Sequence, residues 1–271
     1  MTTMEAIRPA AVPLHLVAGI RWRSVAALWR RHIRALARVW KVAITWFLVE
    51  PGIVLLALAL GIGRLVGDMG GGLSYAEFVA PGIIIGTAMF HALFEASWSA
   101  FQRINESVYE TALTAPVTVA EVVLAELLFA ATRASISTLA VSLFAVAFGW
   151  LTPAAIPGLL LLSLGVGGVF GGIGQLFAAL SPSMHSLSMV FTLVATPMYF
   201  FSGAFFPIEV LPDWLEPVAW AMPLTALVEL ARGFAVGDLT LVHLWCALWV
   251  TGLSALLYPL AVRCMGARLL K

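Results

Sequence analysis

Residues 134–208, ASISTLAVSLFAVAFGWLTPAAIPGLLLLSLGVGGVFGGIGQLFAALSPSMHSLSMVFTLVATPMYFFSGAFFPI, run for 75 positions without an Asp, Glu, Lys or Arg. A helix that crosses a bilayer needs roughly 20 apolar residues. The stretch is too long for one crossing and must be folded back by turns. Pro153 and Pro157 mark one turn, and Ser181-Pro182-Ser183 marks the next. That places membrane spans at about 156–180 and 187–202.

Reading outward, three more charge-poor regions precede it, at about 42–63, 78–101 and 122–148, and one follows, at about 239–262. The expected fold is an all-α integral membrane protein with six transmembrane helices. The first span is expected to break at Glu50-Pro51. Thr118-Val119-Ala120-Glu121 has the capping-box pattern that starts the third. Composition agrees: 62% of the 271 residues are hydrophobic and 11% charged, with a net charge of +1, against about 25% charged in a soluble domain. This excludes a soluble enzyme, a disordered tail and a nucleic-acid binder. Cys246 and Cys264 lie eighteen residues apart, roughly 27 Å along one helix and too far to bridge. They read as small apolar residues.

Residues 1–41 are expected to be cytoplasmic. Within them, 22–41 read as an amphipathic helix. Trp22, Val25, Trp29, Ile33, Leu36 and Trp40 share one face, and Arg23, Arg30, Arg31, Arg34, Arg38 and Lys41 the other. Such a helix lies in the headgroup layer. A basic surface helix against a soluble partner is the alternative. Basic residues set orientation: Arg8 through Lys41, Arg103, and Arg263, Arg268 and Lys271 fall on one side of an even number of spans. Both termini, including a tail at 263–271, are expected to be cytoplasmic. On the other side, 205–233 carries prolines at 207, 212, 217 and 223. It reads as two short re-entrant or interfacial helices, with Asp213 as a cap, or else as a plain surface loop.

Ionisable residues inside spans are functional candidates by default. Glu50, Glu95 and Glu126 fall at one depth, roughly 12 Å inside the cytoplasmic boundary, and Arg133 lies on the face of Glu126, about 10 Å deeper. They read either as ion pairs that fix packing or as a polar belt that repacks during transport. Gly167/Gly171 and Gly168/Gly172 form small-xxx-small pairs, which let helices approach closely. The only lysines, Lys41 and Lys271, do not follow a glycine, so a phosphate loop of Gly-Lys-Ser/Thr type is absent. His-Glu-x-x-His and Gly-x-Ser-x-Gly are absent too, and the five histidines are scattered. A secondary transporter would place coupling residues at mid-membrane and often show an internal repeat; only Arg133 is that deep, and no repeat is seen. A membrane-embedded enzyme would need a convergent nucleophile or metal set, which the sequence does not offer.

Order and motifs together carry a resemblance. Glu50-Pro51 precedes Gly61-Ile62-Gly63. Tyr75-x-x-Phe78-x-x-Pro81-Gly82 opens the second span. Phe94-Glu95-Ala96 leads to Arg103, then to Tyr109-Glu110-Thr111-Ala112-Leu113-Thr114-Ala115-Pro116-Val117. Phe201-Ser202-Gly203-x-Phe205-Phe206-Pro207, Leu211-Pro212, Pro223-Leu224 and Arg232-Gly233 come after these. From about 42 to 233 the chain resembles the membrane subunits of type 2 ABC exporters, within them the nodulation-factor and polysaccharide exporter permeases (NodJ-like). The resemblance implies an inner-membrane homodimer docked on two separate ABC ATPase subunits, with ATP and Mg on those subunits and no cofactor on this chain. It implies a coupling helix at about 103–115, with Arg103, Glu106, Tyr109, Glu110 and Thr111 as contacts. The interfacial helix, with Trp22, Trp29, Arg30, Arg34 and Trp40, would flank that dock. By analogy the first and fifth spans line the path, and Met198, Tyr199, Phe200 and Phe201 gate its outer end. The implied cargo is a lipid-linked oligosaccharide or polysaccharide, with a drug or another lipid as the alternative.

Overall fold

The computed structural model describes residues 20–66, 69 and 72–269. Arg8, Asp68 and Lys271 lie outside the described residues. The architecture is all α. Helix α1 (Trp22–Arg38) precedes α2 (Trp40–Val66), α3 (Tyr75–Asn105), a short α4 (Val108–Leu113), α5 (Val119–Ala147), α6 (Pro153–Leu180) and α7 (Met184–Phe201). Two short helices, α8 (Glu216–Ala221) and α9 (Pro223–Val236), lead to α10 (Leu241–Leu269). Helices α2, α3, α5, α6, α7 and α10 are each long and apolar enough to cross a membrane.

Local sequence explains the boundaries. Ser74 and Glu77 form a capping box that starts α3, and Thr118 and Glu121 form the one that starts α5. Helix α2 is not broken at Glu50-Pro51, as expected, but runs through it behind a π-helical turn at Thr45–Val49. The wider turn relieves the proline ring, which cannot fit the ordinary i−4 geometry. Helix α7 handles Pro197 the same way, with a π turn at Phe191–Ala195 and Thr196 Oγ1 donating to the Phe191 carbonyl at 3.0 Å. Asp213 lies in a turn and caps nothing; α8 starts at Glu216. Residues 263–269 are not a free tail but the last turns of α10. The Arg268 guanidinium donates there to the carbonyls of Ala178, Ala179 and Ser181 at the end of α6.

The core is α3, α5 and α6, with α9 and α10 against them. The glycine pairs of α6 serve two neighbours. Gly167 and Gly171 meet Ala131, Ala130 and Leu127 of α5, whereas Gly168 and Gly172 meet Ser254 and Leu257 of α10. A 17% buried share for α7, against 67% for α3, marks α7 as a peripheral helix whose surface faces lipid or another chain. One end of the bundle gathers α1, α4, the start of α5, the α6–α7 turn and the end of α10. The opposite end gathers residues 203–222 and α9 over the start of α3.

Candidate functional site

The end that carries α1 and α4 holds a buried ionic network. Glu126 of α5 is 1% exposed. Its carboxylate accepts from Arg103 Nη1 at 2.7 Å and from the Tyr109 hydroxyl at 2.8 Å, and lies 3.1 Å from His32 Nε2. Arg103 also donates to Glu95. Glu95 Oε2 accepts from Arg133 Nη1 at 2.5 Å and from Ser99 Oγ at 3.2 Å. His32 stacks on Phe129 with ring centroids 5.0 Å apart. The Arg133 guanidinium lies 5.4 Å from the Phe47 ring centre.

Each side chain is placed by its element. A π turn at Glu95–Ser99 puts one extra residue into α3, a feature that recurs at functional sites. It loosens the backbone at Ala96, whose carbonyl accepts from Gln175 Nε2 of α6 at 3.2 Å. Glu95 is turned inward and Arg103 comes two turns later. Arg133, deeper along α5, reaches back along its flexible stem to Glu95. Two carboxylates and two guanidiniums cancel, which a buried cluster requires because an unpaired charge there is strongly destabilising. The network therefore joins α1, α3, α4 and α5 at one point. Helix α4 and the turn before it present Glu106, Glu110 and Thr111 outward, while Tyr109, 1% exposed, ties α4 to Glu126. Burial pushes the Tyr109 hydroxyl well above the usual tyrosine range, with the Glu126 charge adding to it. It stays a donor at any physiological pH.

The expected residues separate accordingly. Glu95, Glu126 and Arg133 do come together. Glu50 does not join them; it is exposed on α2 and makes no ion pair among the described residues. Its exposed place on α2 leaves it outside the network. Arg103 and Tyr109 point into the bundle rather than outward as docking contacts. Trp40 lies beyond the break at Val39, in the first turn of α2 rather than on α1. On α1, Trp29 Nε1 donates to Thr132 Oγ1 of α5 at 3.0 Å, Trp22 is largely exposed, and Arg30 and Arg34 are exposed. Met198 is buried in the core. Tyr199 packs on Gly86 and edge-on to Phe90 and Phe205, and Phe200 stacks on Phe205 at 5.2 Å. Phe200 and Phe201 remain exposed.

His32, Ser99 and the Arg21–Glu121 clasp were not expected from the sequence. The Glu121 carboxylate accepts from the Arg21 backbone N–H at 2.8 Å and its Nε at 3.2 Å. For His32 a signal existed: it falls three residues after Trp29 on the apolar stripe of α1, where a polar side chain needs a buried partner.

A stripe along α3 stays partly open: between Val79 and Ala100, only Thr87, Phe90, His91, Phe94, Trp98 and Ser99 escape burial. Helix α2 flanks this stripe through Phe47 against His91 at 4.5 Å, and α7 through Phe191 against Phe94 at 6.1 Å. Aromatic rings dominate the stripe.

A sequence profile of the ABC-2 type transporters matches residues 23–235. The chain belongs to the ABC-2 type transporter family. Among the proteins it is similar to is Nodulation protein J of Rhizobium leguminosarum bv. viciae, 33% identical over 221 residues, which span 81% of this chain and 84% of that protein. Nodulation protein J of Rhizobium meliloti (strain 1021) is 33% identical over 239 residues, 86% of this chain and 87% of that protein. The Inner membrane transport permease YadH of Escherichia coli (strain K12) is 25% identical over 227 residues, 80% and 84%. The profile spans everything from α1 to the end of α9. In this ABC-2 permease subunit the ionic network and the open stripe along α3 thus both lie within the family's shared region.

Proposed function

We propose that this ABC-2 permease is the membrane half of an ATP-driven exporter that carries an amphiphile, a lipid-linked oligosaccharide or polysaccharide, out across a bacterial inner membrane. Two copies pair, each docked on an ABC ATPase subunit that binds ATP and Mg. Both termini and α4 face the cytoplasm, in keeping with the arginines gathered at that end. The observation that carries the reading is the network itself. Exposed Glu106, Glu110 and Thr111 form the docking face at α4, and Tyr109 and Arg103 connect that face to α1, α3 and α5. A push on α4 passes through the Tyr109–Glu126 hydrogen bond to the buried ion pairs, and so to the spans. A cleft of about 590 Å³ between α1 and α4, lined by Arg21, Arg23, Arg31, Thr111 and Pro116, extends the docking face.

The open stripe along α3, flanked by α2 and α7, supports the path. A carboxylate within a span normally faces a bundle interior or water, and Glu50 on exposed α2 suits a wet passage between two copies. Rings flanking it suit the faces of sugars and lipid tails. The resemblance to the Nodulation protein J sequences favours the oligosaccharide cargo.

The test is co-purification of the tagged full-length chain with its genetic neighbours co-expressed. The expected result is a Walker-type ATPase in equal stoichiometry, lost in Glu106→Lys/Glu110→Lys while the thermal unfolding of the permease is unchanged. A stable assembly without an ATPase would overturn the reading. Stimulation of hydrolysis by extracted lipid-linked oligosaccharide, and not by free lipid, would fix the cargo class.

A further inference from the structure

Helix α1 roofs an apolar slot. A cavity of about 370 Å³ lies between α1 and the flanks of α5 and α6, lined by Trp22, Val25, Ala26 and Trp29 on one side and Leu128 and Leu164 among others on the opposite wall. That volume falls within the roughly 300–1,000 Å³ of ordinary small-ligand sites. The hydroxyls among its lining residues, Thr132 and Ser135, are already engaged by Trp29, Ser163 and backbone carbonyls. Its walls therefore offer hydrocarbon contact. Leu128 and Leu164 are partly exposed on the outer surface of the bundle, so the slot opens sideways rather than into the core.

Charge lies directly beside it. At 3.6 residues per turn, Arg23, Arg30 and Arg34 fall within about 40° of one another, on the flank of α1 next to Ala26. All three are exposed and make no ion pair among the described residues. From Ile20 to Val49 the chain has no Asp or Glu. Trp22, Trp40 and Trp46 are exposed on the surface, and tryptophan prefers the membrane interface.

We propose that this corner is a binding site for an anionic phospholipid of the surrounding bilayer, one acyl chain in the slot beneath α1 and the headgroup phosphate on Arg30 and Arg34. A single acyl tail suits a narrow slot open to the bilayer, and an uncompensated guanidinium stripe suits an anionic headgroup. Arginines near an anionic bilayer surface each add favourable binding. A bound lipid would also wedge α1 against α5 and so hold His32 on Glu126.

The experiment equilibrates the full-length chain with vesicles of equal parts phosphatidylglycerol and phosphatidylcholine, re-extracts it in mild detergent, and identifies the retained phospholipid by mass spectrometry. The expected pool is enriched roughly thirtyfold in phosphatidylglycerol, as two surface arginines would supply. Arg30→Gln/Arg34→Gln should abolish the enrichment, and Arg30→Lys/Arg34→Lys should keep most of it. Ala26→Phe, which fills the slot, should lower total retained lipid with an unchanged unfolding temperature. A retained pool that mirrors the vesicles would overturn the proposal. So would enrichment that survives the glutamine variant. The readout needs no transport, so it stands apart from the test of the exporter reading.

Discussion

Replacing Arg103 with Met tests the ionic network most directly. Arg103 donates to both Glu126 and Glu95, and Arg133 reaches only Glu95. The variant therefore leaves two buried carboxylates with one guanidinium, a net charge of −1 in a cluster that was neutral. Glu126 keeps Tyr109 and His32, which offset part of the loss. Removing one partner of a buried pair costs about 3–5 kcal/mol, and a hydrogen bond left unmade by a buried charged acceptor belongs to the same range. The expected destabilisation is therefore about 3 kcal/mol or more, a shift of over a hundredfold in the folding equilibrium. The assay is reversible denaturation of the full-length chain in mixed micelles, run as a double-mutant cycle with Glu126→Gln. Glu126→Gln removes the surplus negative charge, so the double variant should recover some of the loss, with a coupling of about 0.5–3 kcal/mol. Exposed Arg64→Gln is the control. A single variant within about 0.5 kcal/mol of wild type, or a cycle that closes additively, would refute the claim that these charges form one buried unit.

Three further outcomes rest on the geometry. A Cβ on Gly167 would strike the Ala131 backbone, so Gly167→Val should destabilise by about 1–3 kcal/mol through overpacking, whereas Gly252→Ala, with open space around it, should not; thermal unfolding in detergent reads both. Gly203 has φ +79° and a Cβ there would lie 2.8 Å from Ile208, while Gly237 at φ +82° has free space. Gly237→Ala should show the backbone strain alone, about 1–2 kcal/mol, and Gly203→Ala more, by the same assay. The Tyr109 hydroxyl is raised above the ordinary tyrosine value of about 10 by burial and then by Glu126. Its contribution is intact below that value and is lost as pH climbs beyond it, because the unfolded chain then releases a proton that the folded chain retains. Stability against pH should fall above about pH 10 in wild type and fall less in Tyr109→Phe.

Much of this molecule was written in local pattern. Six spans, their turns at Pro153 and Pro182, and the capping box at Thr118 needed only a charge-free run and the chemistry of helix ends. The two glycine stripes of α6 were visible as close-packing faces, but not which neighbour each would meet. For the intramembrane charges, 1.5 Å per residue converts sequence into distance along a helix. It does not give direction around the helix. The π turn at 45–49 inserts a residue just before Glu50, and the one that starts at Glu95 inserts a residue before Arg103, and each rotates the helical turns beyond it.

The sequence by itself determined that this is a six-span permease of the ABC-2 type transporter family, because hydropathy and motif order are one-dimensional properties. Only the tertiary structure decided that Arg103 and Tyr109 turn inward, that His32 completes the site, and that Trp40 belongs to the first span. Those facts depend on which helix faces stack together, and a buried charge finds its partner across 20 to 100 residues of chain, a distance that no local pattern spans.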